Sequence, residues 1–115
     1  MNVYGIPTCG TVKKAKTWLE KEGVAFEVID FRAHPPTHAM VKGWVDALGS
    51  KAMRNTSGGS YRALPDEKKT WDDDRWTQEF IADPMLIKRP IIEVDGRAVK
   101  VGFRGSDDQL KAELL

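Results

Sequence analysis

Val3-Tyr4-Gly5-Ile6-Pro7-Thr8-Cys9-Gly10, continued by Val12, Ala15 and Leu19 and then by Val24, Phe26 and Val28, is the stretch that decides the fold. Val3 and Tyr4 favour strand. Gly5 to Thr8 breaks the run, because Gly and Pro punctuate regular structure. From Gly10 to Glu22 the spacing turns helical: Val12, Ala15 and Leu19 share a face, with Trp18 beside them, while Lys13, Lys14, Lys16 and Glu20 point away. Gly23 is a favourable stop. Val24, Phe26 and Val28 then alternate with the period of a strand. Strand, helix and strand in succession form the right-handed βαβ unit of a parallel pair.

Working outward, Pro35-Pro36-Thr37 opens a second helix running to Leu48. Met40, Val41, Trp44, Val45 and Leu48 lie on one side of it, and Gly49 is placed to close it. Asn55 to Ser60 is small and polar and reads as loop. A third helix is predicted over 74–81, with Trp76, Phe80 and Ile81 as its apolar face. Asp72, Asp73 and Asp74 stand at its start, where acids complement the helix dipole. A short helical piece is predicted over 84–87.

Ile91-Ile92-Glu93-Val94, then Asp95-Gly96, then Arg97-Ala98-Val99-Lys100-Val101 predicts a hairpin on a tight two-residue turn, with Ile92 opposite Val99. Ser106 and Gln109 predict a capping box for a last helix that buries Leu110 and Leu114. The order is β-α-β, then helices, then β-β-α around one mixed sheet. This is an α/β, thioredoxin-like arrangement, a single domain over 1–115 with a helical insertion at about 35–87.

The chain has 115 residues, enough to bury one core without disulfide or metal staples. Its 41% hydrophobic and 30% charged content excludes whole-chain disorder. Eighteen basic against 17 acidic residues leave a net charge of +1, which offers no broad field for nucleic acid or an acidic membrane. No stretch approaches the roughly 20 apolar residues that span a bilayer. The N-terminus lacks the basic-then-apolar pattern of a signal peptide. The single cysteine allows no intrachain disulfide and fits a reducing compartment, so a cytoplasmic location is expected. His34 and His38 are separated by Pro35 and Pro36 and gather no further ligands, so no metal is expected.

Cys9 stands between a strand and a helix N-terminus, where unpaired N–H groups and the positive dipole end favour a thiolate. The thiolate is the nucleophilic form. A lone cysteine cannot close its own disulfide, so any redox cycle borrows a thiol from elsewhere.

Four ordered stretches carry a resemblance. They are Tyr4-Gly5-Ile6-Pro7-Thr8-Cys9-Gly10-Thr11 with Lys13-Lys14-Ala15 and Trp18-Leu19; Asn55-Thr56-Ser57-Gly58 with Tyr61-Arg62-Ala63-Leu64; Ile87-Lys88-Arg89-Pro90-Ile91-Ile92; and Val101-Gly102-Phe103-Arg104. Together they resemble the arsenate reductase (ArsC)/Spx/YffB family over nearly the whole chain, at a point between its ArsC and YffB branches. The resemblance implies a thioredoxin-like fold with a helical insertion. It also implies an oxidoreductase whose Cys9 thiolate attacks arsenate or a related substrate, with glutathione as co-substrate, glutaredoxin as partner and no bound cofactor. By motif, Arg89 and Arg104 would hold the oxyanion, with Arg54 as a third candidate whose spacing to Tyr61 departs from the pattern. Gly10 and Thr11 would line the anion site. Pro90, with a cis bond to Arg89, would face the sulfur. Guanidinium groups suit such an anion, because they bind tetrahedral oxyanions by bidentate, charge-assisted bonds.

One departure is clear. The arsenate reductases carry a histidine four residues before the cysteine, where this chain has Gly5. The resemblance therefore also admits a glutathione-dependent thiol or disulfide reductase without arsenate activity. A third reading is an Spx-like regulator docking on RNA polymerase, although Val12 replaces the second cysteine that such sensors often carry. A monomer that binds neither nucleic acid directly nor a membrane is expected.

Overall fold

The computed structural model describes residues 1–115. Strand β1 (Asn2–Gly5), helix α1 (Gly10–Lys21) and strand β2 (Glu27–Asp30) form the predicted βαβ unit, with β1 and β2 parallel. β2 starts later than the Val24-Phe26-Val28 alternation suggests. The N–H groups of Gly23 and Val24 bond back to Glu20 and Leu19, at 3.1 Å each, and close the helix end. Pairing with β1 begins only at Glu27, whose N–H reaches the Met1 carbonyl at 2.9 Å.

Helices α2 (His38–Leu48), α3 (Ser50–Met53), α4 (Gly59–Ala63) and α5 (Asp73–Ala82) follow, with 3-10 turns at Asp66–Thr70 and Pro84–Leu86. Thr37 caps α2 by accepting from the Met40 N–H, and Asp72 caps α5 by accepting from the Arg75 N–H. The predicted 55–60 loop is shorter than expected, because α4 begins at Gly59. α3, α4 and the first 3-10 turn are too short to show a helical period in sequence.

Strands β3 (Ile91–Val94) and β4 (Arg97–Val101) complete a sheet of order β2-β1-β3-β4, in which β3 is antiparallel to both neighbours. Asp95 and Gly96 both take positive φ, +53° and +76°, as a two-residue turn of this type requires. Ile92 faces Lys100, however, not Val99. The ladder shifts between Ile92 and Glu93, and the extra residue in β4 forms a bulge. Past the bulge, β4 leads into Gly102, whose N–H bonds to the Pro90 carbonyl at 2.8 Å. Helix α6 (Asp107–Leu114) carries the complete Ser106–Gln109 capping box and buries Leu110 and Leu114.

The sheet is covered on both faces. Tyr4, Ile91 and Ala98 join Val41, Trp44 and Val45 of α2 and Trp76 and Phe80 of α5 in one aromatic-rich core. Val3 and Ile92 alternate to the other face, where Val12, Ala15, Leu19, Leu110 and Leu114 are buried. One buried carboxylate lies against the first core. Glu93 accepts from the Trp44 indole N–H at 2.7 Å and from the Asn2 amide at 3.5 Å. Burial, and then the Glu93 carboxylate, push the Tyr4 hydroxyl above its ordinary range. No helix is long and apolar enough to cross a membrane.

Candidate active site

Cys9 is the N-cap residue of α1, at the end of the segment that leaves β1. The strand-to-helix turn is held by the Cys9 N–H on the Ile6 carbonyl at 2.9 Å and the Lys13 N–H on the Cys9 carbonyl at 3.0 Å. The Cys9 side chain is half-buried. Its partial burial pushes the thiol up. The backbone N–H groups of Val12 and Thr11, and the Arg89 guanidinium through hydrogen bonding and charge, outweigh that and hold it below the usual thiol value. The nucleophilic thiolate is therefore easier to form here than in a free cysteine.

Cys9 opens into a cleft of about 540 Å³. Segments distant in sequence meet there: Thr11 and Lys14 of α1; Asn55, Ser57 and Gly58; Lys88 and Arg89; and Gly102, Phe103 and Arg104. Each of the four family-like stretches supplies part of the wall. Four cations line the cleft and no carboxylate does. None of the four takes part in an ion pair. Their charge is left for whatever occupies the space.

Arg89 is the best fixed of them. Its Nη1 donates to the carbonyls of Ile87 (3.3 Å) and Met85 (3.5 Å), and its buried Nε has no partner. The Arg89–Pro90 bond is cis, as expected, and Pro90 is buried behind the cleft wall without lining it. Gly10 is exposed at the start of α1 and also does not line the cleft. Arg104 is exposed and lines the mouth.

Arg54 lies elsewhere. Its guanidinium sits 4.5 Å from the centre of the Trp76 ring and donates to the Ser50 hydroxyl at 3.2 Å. The bridge between Arg54 and Ile87 fixes its backbone, and an aromatic face is within its reach, so it turns to the insertion core.

Gly5 has a structural reason to be glycine here. A Cβ at this position would lie 2.7 Å from Cγ2 of Val12, which is buried, and 3.5 Å from the Arg89 Cβ. A histidine cannot enter without displacing Val12. Sequence reasoning did not assign Lys88, Asn55, Ser57 or Phe103 to the site. Their one signal was membership of the four family-like stretches.

Comparison with known proteins agrees with this fold. YusI of Bacillus subtilis (strain 168), an uncharacterised protein, is 36% identical over 96% of this chain and 95% of its own length. An arsenate reductase of Neisseria meningitidis (serogroup A strain Z2491) is 26% identical over 85% of this chain and 86% of its own. The solved structure of a YffB protein superposes with a TM-score of 0.86 at 33% identity, covering 99% of this chain and 98% of that one. Residues 4–111, nearly the whole chain, match the ArsC family, and the chain belongs to that family.

Proposed function

We propose that this protein is a glutathione-linked oxidoreductase of arsenate reductase type, with Cys9 as nucleophile. Its membership of a family with arsenate-reducing relatives supports a thiol oxidoreductase. The observation that carries the finer reading is the cleft: the only sulfur of a cysteine in the chain faces four unpaired cations and no acid. A doubly charged tetrahedral oxyanion suits that wall, and Arg89 offsets the repulsion between it and an approaching thiolate.

In this reading the Cys9 thiolate attacks arsenic and expels an oxygen as water. A glutathione thiolate then attacks the Cys9 sulfur. A disulfide forms between the two thiols, and the electron pair of the sulfur–arsenic bond leaves with arsenic, which falls from the +5 to the +3 state. Two thiols thus supply two electrons for one oxygen lost. Glutaredoxin reopens the disulfide and returns Cys9 to its thiolate. The protein would bind no cofactor.

The test is NADPH oxidation coupled through glutathione reductase and glutaredoxin. Arsenate-dependent turnover by the wild type that disappears in Cys9→Ser supports the reading, and turnover retained by Cys9→Ser would end it. A second reading, reduction of mixed glutathione disulfides, is favoured by Gly5 standing where arsenate reductases carry histidine. Turnover with a low-molecular-weight glutathione disulfide, and none with arsenate, would select it.

A further inference from the structure

We propose that Asn55, in the space left by Gly58, is a positioning residue for Arg89, the two side chains donating to the same Met85 carbonyl at the edge of the Cys9 cleft. The Asn55 Nδ2 reaches that oxygen at 3.4 Å and the Arg89 Nη1 at 3.5 Å. Ser57 Oγ donates to the Asn55 Oδ1 at 3.4 Å and orients the amide. The backbone joins the same two segments: Asn55 N–H to the Leu86 carbonyl at 2.9 Å, and Lys88 N–H to the Met53 carbonyl at 2.7 Å.

Gly58 is required by Asn55 and not by its own backbone. Its φ of −81° and ψ of 154° suit any residue. A Cβ there would instead lie 2.7 Å from the Asn55 Nδ2 and 3.3 Å from its Cγ. The smallest side chain at 58 would push the amide off the Met85 carbonyl.

The arrangement has an electrostatic logic. A carboxylate would fix Arg89 more firmly, but it would cancel the charge that the cleft presents. Neutral carbonyls hold the guanidinium and leave its charge for the sulfur and for an anion. The Met85 carbonyl lies within the short Pro84–Leu86 turn, and Asn55 ties it to the neighbouring segment. The inference rests on the reading of Cys9 as a thiolate nucleophile assisted by Arg89.

The experiment is the pH profile of Cys9 alkylation by iodoacetamide in wild type, Asn55→Ala, Gly58→Ala, Arg89→Ala and the Asn55→Ala/Arg89→Ala double variant. The first variant deletes the amide and the second displaces it while removing no group. Either one should raise the midpoint, so that alkylation at a pH below the wild-type midpoint falls about threefold, the factor for half a unit of titration. In the Arg89→Ala background, Asn55→Ala should add nothing further, since the two act as one unit.

A low wild-type midpoint left unmoved by Gly58→Ala and by Asn55→Ala overturns the positioning role alone. So does a shift of equal size in both backgrounds. Should Asn55→Ala not fold, Gly58→Ala decides by itself. An ordinary thiol midpoint in the wild type overturns the thiolate reading together with this inference.

Discussion

Arg54 and Arg89 lie on backbone strips joined by the Arg54–Ile87 bridge, yet their guanidinium groups have different fates. Arg54 covers the buried Trp76 ring and donates to Ser50. It is one of three cations on aromatic faces in the insertion, with Lys68 over Tyr61 at 4.4 Å and Arg75 over Trp71 at 4.1 Å. Arg89 is held by neutral carbonyls beside Cys9 and faces open space. The insertion uses cations as mortar between rings, whereas the cleft keeps them uncommitted. Residue type does not separate the two regions; what the neighbouring strip offers does.

The comparison can be broken by mutation. The largest effect belongs to Cys9→Ser, which should abolish arsenate-dependent turnover while leaving the melting temperature close to wild type. Next, Arg89→Ala should lower kcat/KM for the oxyanion by about 100-fold, the scale for losing one preorganised donor to developing negative charge. Arg54→Ala should leave kcat/KM near wild type and cost about 1 kcal/mol of stability, read by urea unfolding, as it loses an aromatic contact. A loss of turnover in Arg54→Ala as large as that in Arg89→Ala would mean that Arg54 leaves Trp76 when substrate binds, and the contrast would collapse.

The smallest effect is on the pH dependence of stability. Folding lowers the Cys9 titration point. The folded chain therefore binds fewer protons than the unfolded one between the two midpoints, and stability rises with pH there. The contribution is complete above the unfolded thiol's range and is lost as pH falls through the folded midpoint. Thermal melts of wild type and Cys9→Ser across that window should diverge at its upper end and converge at its lower end. Parallel curves would remove the assisted thiolate from the comparison.

Much of this was legible in the sequence. The βαβ unit, α2, α5 and the hairpin announce themselves through period and turn chemistry, and the four stretches that build the cleft were visible as motifs. Three things were not. The β4 bulge leaves no mark in the Asp95-Gly96 turn, which sets register only for the pairs nearest to it. Helices of four and five residues, α3 and α4, complete too few turns to show a face. The fate of Arg54 depended on Trp76, 22 positions away, and on a bridge to Ile87 that no local pattern encodes. Site residues were therefore readable as a set of segments, but which side chain in each segment faces the sulfur was a matter of tertiary packing.

The buried Glu93 bears on how the sheet assembles. Its carboxylate takes donors from Trp44 and Asn2 and sits beside the Tyr4 hydroxyl, all on one face of β3. A pairing slipped by one residue would turn it toward the aliphatic layer of Val12, Leu19 and Leu110, with no donor to meet it. Aliphatic strands such as Ile91 and Ile92 tolerate such slips because one methyl resembles another. Glu93 removes that tolerance for a one-residue slip and works as a proofreading mark, favouring the face assignment in the central strand that sets Arg89 and Pro90 at the same end of the sheet as Cys9.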